Sequence, residues 1–298
     1  MKWNDFVLTV AASSQVSKNL LRLEFDVDPA AGQGYRPISP GDESIAFYFS
    51  PDGDELRTRR SEDPSALGGW EVVDTERSQG HRNYTVRRYN PAVGRMVVDI
   101  AEHDHGPAMG WFRAARPGWR LLAAGPRSWY APPADATRHV LAGDLAALPA
   151  LARILEDTPP EVPVTVLAEV LDPSDTRYLP ERPNTEVIEL LGSGNGTGPS
   201  GLATALDRVE LPTDAYLWLA GEAADTRAAK KHVRALGWSR GRADIVGYWR
   251  HNAEEWTKRF EERGGERLRQ VFADALAEGK SRQEATDIYE RALEAAGL

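Results

Sequence analysis

The chain has no cysteine among its 298 residues. That excludes disulfides, thiolate nucleophiles and cysteine-ligated iron–sulfur clusters, so any electron transfer must run through a bound organic cofactor. Long apolar runs are missing as well. No stretch approaches the roughly 20 consecutive apolar residues of a membrane-spanning helix. The opening residues, MKWNDFVLTVAASSQ, carry Trp, Asn and Asp where a secretory signal needs a positive start and an apolar run, so the expected compartment is the cytoplasm. There is no excess of positive charge either. The net charge of -9 argues against nonspecific binding to nucleic acid or to an anionic membrane surface. Arg57, Arg59 and Arg60 do cluster, but acidic residues follow, and the segment reads as a solvated loop. Histidine is scarce at six residues. His103-x-His105 has the spacing of half a metal site, yet without cysteine no metal site is expected.

What is present is enough for two ordinary domains, with a hydrophobic fraction of 41% to fill their cores. Residues 6–10, 20–25, 44–49, 84–88, 95–99 and 119–123 carry the alternating, β-branched and aromatic signature of strands, separated by Gly, Pro and Asp clusters. Six short strands with such turns predict a closed antiparallel barrel. Residues 52–80 form a long polar stretch, with Gly68-Gly69 in its middle, and are expected to be a loop. Ala131-Pro132-Pro133-Ala134-Asp135 reads as a linker. Beyond it the pattern changes. Strands are expected at 139–142, 162–171, 186–191, 216–220 and 243–249, and helices at 145–156, 202–209 and 223–236. Such alternation means a parallel sheet covered by helices on both faces. After Asn252 the chain is charged and helical, and Ser281-Arg-Gln-Glu284 is a capping box ahead of a last helix through Ala296. The expected domains are therefore 1–133, 134–252 and a helical extension at 253–298.

Three groups of residues carry chemistry. The first is His81-Arg82-Asn83-Tyr84-Thr85, on a strand: an aromatic face to stack on, a hydroxyl donor and a cation for a phosphate. Strict alternation puts Arg82 and Tyr84 on one face of that strand and Thr85 on the other. The second is the loop from His103 through Gly106, Pro107, Ala108 and Met109 to Trp111, whose backbone N–H groups can meet a pyrophosphate. The third is a pair of strand ends turning into helices: Gly143-Asp144 with Ala146, and Gly221-Glu222. Ligands of open parallel sheets bind at such carboxyl ends. Gly196-x-Gly198-x-x-Gly201 formally fits a dinucleotide fingerprint, but it follows the wrong strand and is crowded with Gly and Pro, so it reads as a flexible surface loop. Lys230 and Lys231 either meet a 2′-phosphate or line a solvated helix face.

Taken in order, Arg-x-Tyr-Thr, the Gly-Pro-Ala loop, Gly125-Pro126-Arg127, the segments 141–157 and 216–233, and Gly247-Tyr248-Trp249 resemble the siderophore-interacting proteins. These are a branch of the ferredoxin-reductase-like flavoenzymes. The resemblance covers the chain up to about Asn252. It implies an N-terminal antiparallel Greek-key β-barrel that binds flavin, then a parallel-sheet α/β domain that binds a nicotinamide. The implied cofactors are FAD, rather than FMN, and NAD(P)H. The implied activity is reduction of ferric siderophores, a small-molecule iron chelate being the partner. Reduction frees the iron because Fe(II) binds hard-oxygen chelators far more weakly than Fe(III).

The resemblance assigns Arg82, Tyr84 and Thr85 to the flavin, and His103, or alternatively His105, with Gly106, Pro107, Ala108, Met109 and Trp111 to the same cofactor. It assigns Gly143, Asp144, Ala146, Gly221 and Glu222 to the nicotinamide. Tyr248 and Trp249 then wall the cleft, although a buried core Trp is an equal reading for Trp249. Three positions depart from the family pattern: Met109 for Ser, Ala146 for Thr and Asn252 for Gly. Arg127 and Arg250 are candidates for attracting an anionic chelate. No catalytic triad or carboxylate pair is found, and electron transfer requires none. Another flavin reductase of the same fold, or a non-catalytic flavin- or siderophore-binding protein, remains an alternative.

Overall fold

The computed structural model describes residues 4–28, 34–38, 41–62, 67–103 and 107–298. The chain divides into two compact units, Met1–Trp249 and Arg250–Leu298.

The first unit opens with β1 (Asn4–Ser17), β2 (Leu20–Val27) and β3 (Ser44–Tyr48). A small hairpin follows, β4 (Thr58–Arg60) and β5 (Trp70–Val72), then β6 (His81–Thr85), β7 (Arg88–Asn90), β8 (Arg95–Ala101), α1 (Pro107–Ala114) and β9 (Arg120–Arg127). Seven of these strands make one antiparallel sheet in the order β6-β3-β9-β1-β2-β8-β7. Its two edges are consecutive in the chain. Residues 81–85 pair with β3, and residues 88–90 pair with β8. At the exchange point the Val86 N–H donates to the Glu43 carbonyl at 2.8 Å and the Arg87 N–H to that of Val97 at 2.9 Å. One run of chain thus pairs with both ends of the sheet and draws them together as the expected barrel requires. Alternation fills it: Phe6, Leu8 and Val10, Leu23 and Phe25, Ile45 and Phe47, and Met96 and Val98 all point inward and are buried. Helix α1 adds Met109, Trp111 and Phe112 to this core.

Residues 52–80 differ from expectation. They hold the β4–β5 hairpin, with Arg59 opposite Glu71 and Arg60 opposite Trp70. Gly68 and Gly69 take φ of 85° and 72° at its turn, a conformation that favours glycine. Asp74 is buried and accepts from the Arg57 backbone N–H at 2.8 Å and from its guanidinium.

The second sheet is parallel: β10 (Arg138–Gly143), β11 (Val164–Val170), β12 (Thr185–Leu191), β13 (Ala215–Glu222) and β14 (Ala243–Trp249), in the order β12-β11-β10-β13-β14. Its helices are α2 (Leu148–Asp157), α3 (Pro173–Thr176), α4 (Leu202–Leu206) and α5 (Ala223–Ala235). Alternate residues of each strand serve opposite faces. Leu141, Val166, Tyr216 and Trp218 pack with Leu148, Leu151 and Leu155 of α2. Val140, Leu167, Leu217 and Leu219 pack with Leu202, Leu206, Ala229 and Val233. Both faces are covered, as expected. Helix α2 begins three residues later than the sequence predicts, because the Asp144 side chain and carbonyl take the N–H groups of Ala146, Ala147 and Leu148 in tight turns.

Polar contacts knit barrel to sheet. Asp42, fully buried, accepts from the Ser128 hydroxyl, the Trp129 and Tyr130 N–H groups and the Trp218 indole. Glu43 accepts from Tyr35 and from Arg153, and Arg87 forms a bidentate pair with Glu156.

The second unit comprises α6 (Ala253–Glu262), α7 (Gly265–Ala277) and α8 (Arg282–Ala295) around Phe260, Leu268 and Leu293. The predicted capping box is present: Ser281 accepts from the Glu284 N–H at 3.2 Å, and the Glu284 carboxylate from the Ser281 N–H at 2.9 Å. Among the described residues no helix is long and apolar enough to cross a membrane.

Candidate functional site

Residues directly opposite each other in an antiparallel pair share a face. Tyr84 faces Ile45, and Arg82 faces Phe47, so both lie on the barrel's inner register. The Tyr84 ring packs on Phe47 and Phe112, each at 5.1 Å between centroids. Arg82 sits at the exposed end, and its guanidinium donates to the His81 carbonyl at 2.8 Å. Thr85 faces Ser44 on the other side, toward the sheet domain. Ser44 in turn faces Arg127 on β9. The alternation expected from the sequence is thus what the fold shows.

On this outer face the Thr85 and Ser44 side chains are 4% and 3% exposed, and their hydroxyl oxygens are buried without a hydrogen-bond partner. The Tyr248 phenol, reaching in from β14, is buried in the same way. Burial above all, with Asp42 next, holds that phenol far above its ordinary range, while the Thr85 hydroxyl and Arg127 act the other way. Thr85 and Tyr248 are thus close, yet neither oxygen completes a hydrogen bond of normal geometry. The Tyr248 ring lies edge-on to Trp218, and the Arg127 guanidinium covers the Trp129 ring at 4.7 Å. Leaving a buried hydroxyl unsatisfied costs roughly 1–3 kcal/mol. Thr85 is thus next to Ser44 across the strands and close to Tyr248, so three buried hydroxyls gather on the side of the barrel that faces the sheet, the kind of polar group a bound ligand can satisfy.

The loop expected to hold the pyrophosphate is described only in part. Gly106 lies outside the described residues, as does His105. His103 is exposed, and its carbonyl accepts from Arg113 at 3.2 Å. Pro107 is the first residue of α1. Ala108, Met109 and Trp111 face the barrel core, with the Trp111 ring against Phe49, Phe112 and Trp119. What α1 offers an anion is therefore its backbone N–H groups rather than these side chains.

The switch point of the parallel sheet lies between β10 and β13, where the order reverses. Gly143 and Gly221 stand there. A Cβ on Gly143 would fall 2.5 Å from that of Ala147, and one on Gly221 2.9 Å from an Asp144 oxygen. Asp144 is 1% exposed and accepts from the Ala146 N–H at 3.0 Å and the Trp249 indole at 2.5 Å. Burial pushes its carboxyl up to about 7, and Glu169 adds to the rise. The structure thus gives Trp249 a polar partner at the sheet's carboxyl end. Glu222 caps α5 through the N–H groups of Ala224 and Asp225. Asp225 is pushed up to about 6, by burial first and then by Glu222 and Glu169.

Glu169 was not singled out in the sequence. It is buried and accepts from Ser193 at 2.8 Å and from the Gly201 N–H at 2.6 Å. Asn195, at φ 55°, accepts from the Leu145 N–H at 2.9 Å and donates to the Glu169 carbonyl at 3.1 Å. Residues 192–201, expected to be a flexible surface loop, are exposed at 196–199 but tied to the end of the sheet on either side through Ser193, Asn195 and Gly201. Lys231 is exposed on α5 and Lys230 half-buried. Arg250 belongs to the second unit, where its guanidinium lies 3.9 Å from the Trp256 ring centroid.

The structure therefore brings Thr85, Arg127 and Tyr248 together, and Gly143, Asp144, Ala146, Gly221, Glu222 and Trp249 to one sheet end. Ser44 and Asp42 lie beside the first group and were missed, because Pro-Gly-Asp-Glu reads as a turn, Ser44 as an ordinary strand residue, and a sequence does not announce burial.

Comparison with known proteins gives a consistent picture. Residues 9–130 match the model of the siderophore-interacting FAD-binding domain, and residues 136–252 that of the siderophore-interacting protein. The ferric vibriobactin reductase ViuB of Vibrio cholerae is 27% identical over 260 residues, covering 84% of this chain and 90% of its own. A ferric acinetobactin reductase of Acinetobacter baumannii is 30% identical over 176 residues, 57% of this chain and 60% of its own. Among solved structures, a siderophore utilization protein from T. fusca superposes with a TM-score of 0.66 at 27% identity, covering 85% of this chain and 95% of that one. The ferredoxin reductase of carbazole 1,9a-dioxygenase, at 17% identity and a TM-score of 0.57, covers 84% of this chain and 70% of that one, and shares the fold.

Proposed function

The chain belongs to the siderophore-interacting protein family, and on that premise we propose that it is an FAD-dependent oxidoreductase that uses NAD(P)H to reduce ferric siderophores and release Fe(II). The observation that carries this reading lies between barrel and sheet, where the buried hydroxyls of Thr85 and Tyr248 come close to each other but complete no hydrogen bond of normal geometry. Both belong to segments that mark the family in the sequence.

In this reading Thr85 and Tyr248 donate to the polar edge of the flavin ring. The phenol suits that role, since burial keeps it protonated at any working pH. Arg82 and the first backbone N–H groups of α1 hold the phosphates. Gly143, Asp144, Ala146, Gly221 and Glu222 receive the nicotinamide at the sheet's switch point. When bound, the flavin supplies the change from two-electron to one-electron chemistry that passes a hydride's reducing power to Fe(III). Arg127 provides a cation beside these hydroxyls for an anionic chelate. No protein acid or base is needed for electron transfer to the metal, and the residues' work is to bind, orient and exclude water. The cytoplasm, where reduced nicotinamides are kept, suits such an enzyme.

The test is an absorbance spectrum of the protein loaded with FAD, followed by anaerobic NADH or NADPH and then a ferric siderophore with a colorimetric Fe(II) trap. Flavin bleaching followed by stoichiometric Fe(II) supports the reading. A protein that takes up no FAD refutes it, and one that bleaches but leaves every ferric chelate untouched is a flavin reductase of another kind.

A further inference from the structure

We propose that Ser44 is a flavin-contacting residue whose hydroxyl hydrogen-bonds the polar edge of the ring and raises its reduction potential. This rests on the flavin reading above.

Ser44 sits at the start of β3, between Thr85 on β6 and Arg127 on β9, so the three form one row across three strands on the barrel's outer face. The row points toward Tyr248, on which both Thr85 and Arg127 act. Ser44 is 3% exposed, and its Oγ is buried with no hydrogen-bond partner. Its chain neighbours cannot supply one. Asp42 is committed to four donors, namely Ser128, two backbone N–H groups and the Trp218 indole. Glu43 is committed to Tyr35, Ile38 and Arg153. Both carboxyls are fully buried, so the local fold is held by them, and Ser44 contributes none of that structure.

A serine that only filled space would be better as alanine, since an unsatisfied buried hydroxyl costs free energy that a methyl group does not. The site retains a donor where the barrel has no use for one. A neutral donor at the ring's polar edge stabilises the electron-rich reduced form over the oxidised form, so it raises the potential.

This gives a signature that a merely structural role would not produce. In Ser44→Ala the apoprotein is as stable as the parent or more so, while FAD affinity falls about three- to tenfold, the worth of one hydrogen bond. The flavin absorption bands shift and the midpoint potential falls. If Ser44→Ala fails to fold, Ser44→Cys, close in volume but a much weaker donor, carries the same expectations. FAD affinity, spectrum and potential all unchanged in a folded variant would overturn the proposal while leaving the flavin reading intact. A parent protein that binds no FAD would overturn both.

Discussion

Replacing Asp144 by asparagine removes one specific component of the pH dependence of stability, and its size follows from the structure. The carboxyl is 1% exposed, and burial, with Glu169 adding, raises it from an ordinary 3.8 to about 7. A group whose folded value is raised binds its proton more tightly in the folded state. Its stabilising contribution is complete below about pH 4 and is lost as pH rises through about 7. Each unit is worth about 1.36 kcal/mol, so roughly three units set a ceiling of about 4 kcal/mol, of which about 2–3 kcal/mol is lost between pH 5 and pH 8. Asparagine does not ionise. It also loses one acceptor, since the two carboxyl oxygens separately serve the Ala146 N–H and the Trp249 indole, a pH-independent cost of about 1–3 kcal/mol. The assay is urea unfolding of both apoproteins at pH 5, 6, 7 and 8, and the quantity read is the difference between them. The difference matters because His139, pushed down to about 4 by burial, titrates in the opposite sense, losing stability as pH falls below about 6.5. His139 is present in both proteins and cancels. The variant should gain about 2–3 kcal/mol on the parent from pH 5 to pH 8. Parallel curves would refute the reasoning, because they would mean that Asp144 is solvated or paired well enough to ionise freely.

Asp42→Ala should lower stability by about 3 kcal/mol or more, read as a reduced urea midpoint, since it strands the buried Trp218 indole and two backbone N–H groups. Gly143→Ala should cost about 1–3 kcal/mol, seen as a lowered Tm, because the added Cβ would lie 2.5 Å from Ala147 and 3.1 Å from the Ala220 carbonyl oxygen. NADH should bind more tightly than NADPH, by about tenfold or more at low salt. Glu169, Glu222 and Asp225 gather at the sheet end, Asp144 adds its charge above about pH 7, and a 2′-phosphate placed there would meet that negative charge. Fluorescence titration of both nucleotides checks this, and equal or reversed affinities would overturn it.

The periodicities carried most of the fold. Phe6, Leu8 and Val10 alternate because one face of β1 is core, and residues 164–170 are apolar except for Thr165 and Glu169 because β11 is buried on both faces. The β4–β5 hairpin was not legible because each strand is three residues long and its cross-strand partners include charges, Arg59 with Glu71. Residues 84–88 read as one strand, but the chain there exchanges one partner for another at Val86 and Arg87. A pattern of side chains does not record which neighbour the backbone bonds. Residues 192–201 looked mobile from their glycines, whereas the decisive residues are Asn195 and the distant Glu169. In the candidate site a motif pointed to Thr85 and Tyr248, whereas Asp42 and Ser44 stand out only through their burial, which a sequence does not record.

That burial also explains why this side of the barrel can be specific. It is fixed by charged groups that would be costly if unpaired: Asp42 with its four donors, Arg153 with Glu43, and Arg87 with Glu156. Buried ion pairs add little net stability against apolar replacements, but breaking one partner is strongly destabilising, so they set geometry firmly. The hydroxyls of Ser44, Thr85 and Tyr248 are left unsatisfied beside this frame. Ser44 and Thr85 sit on neighbouring strands whose ends are held by those pairs. A ligand that satisfies them finds a preformed edge, and little of its binding free energy is lost to reorganising barrel against sheet.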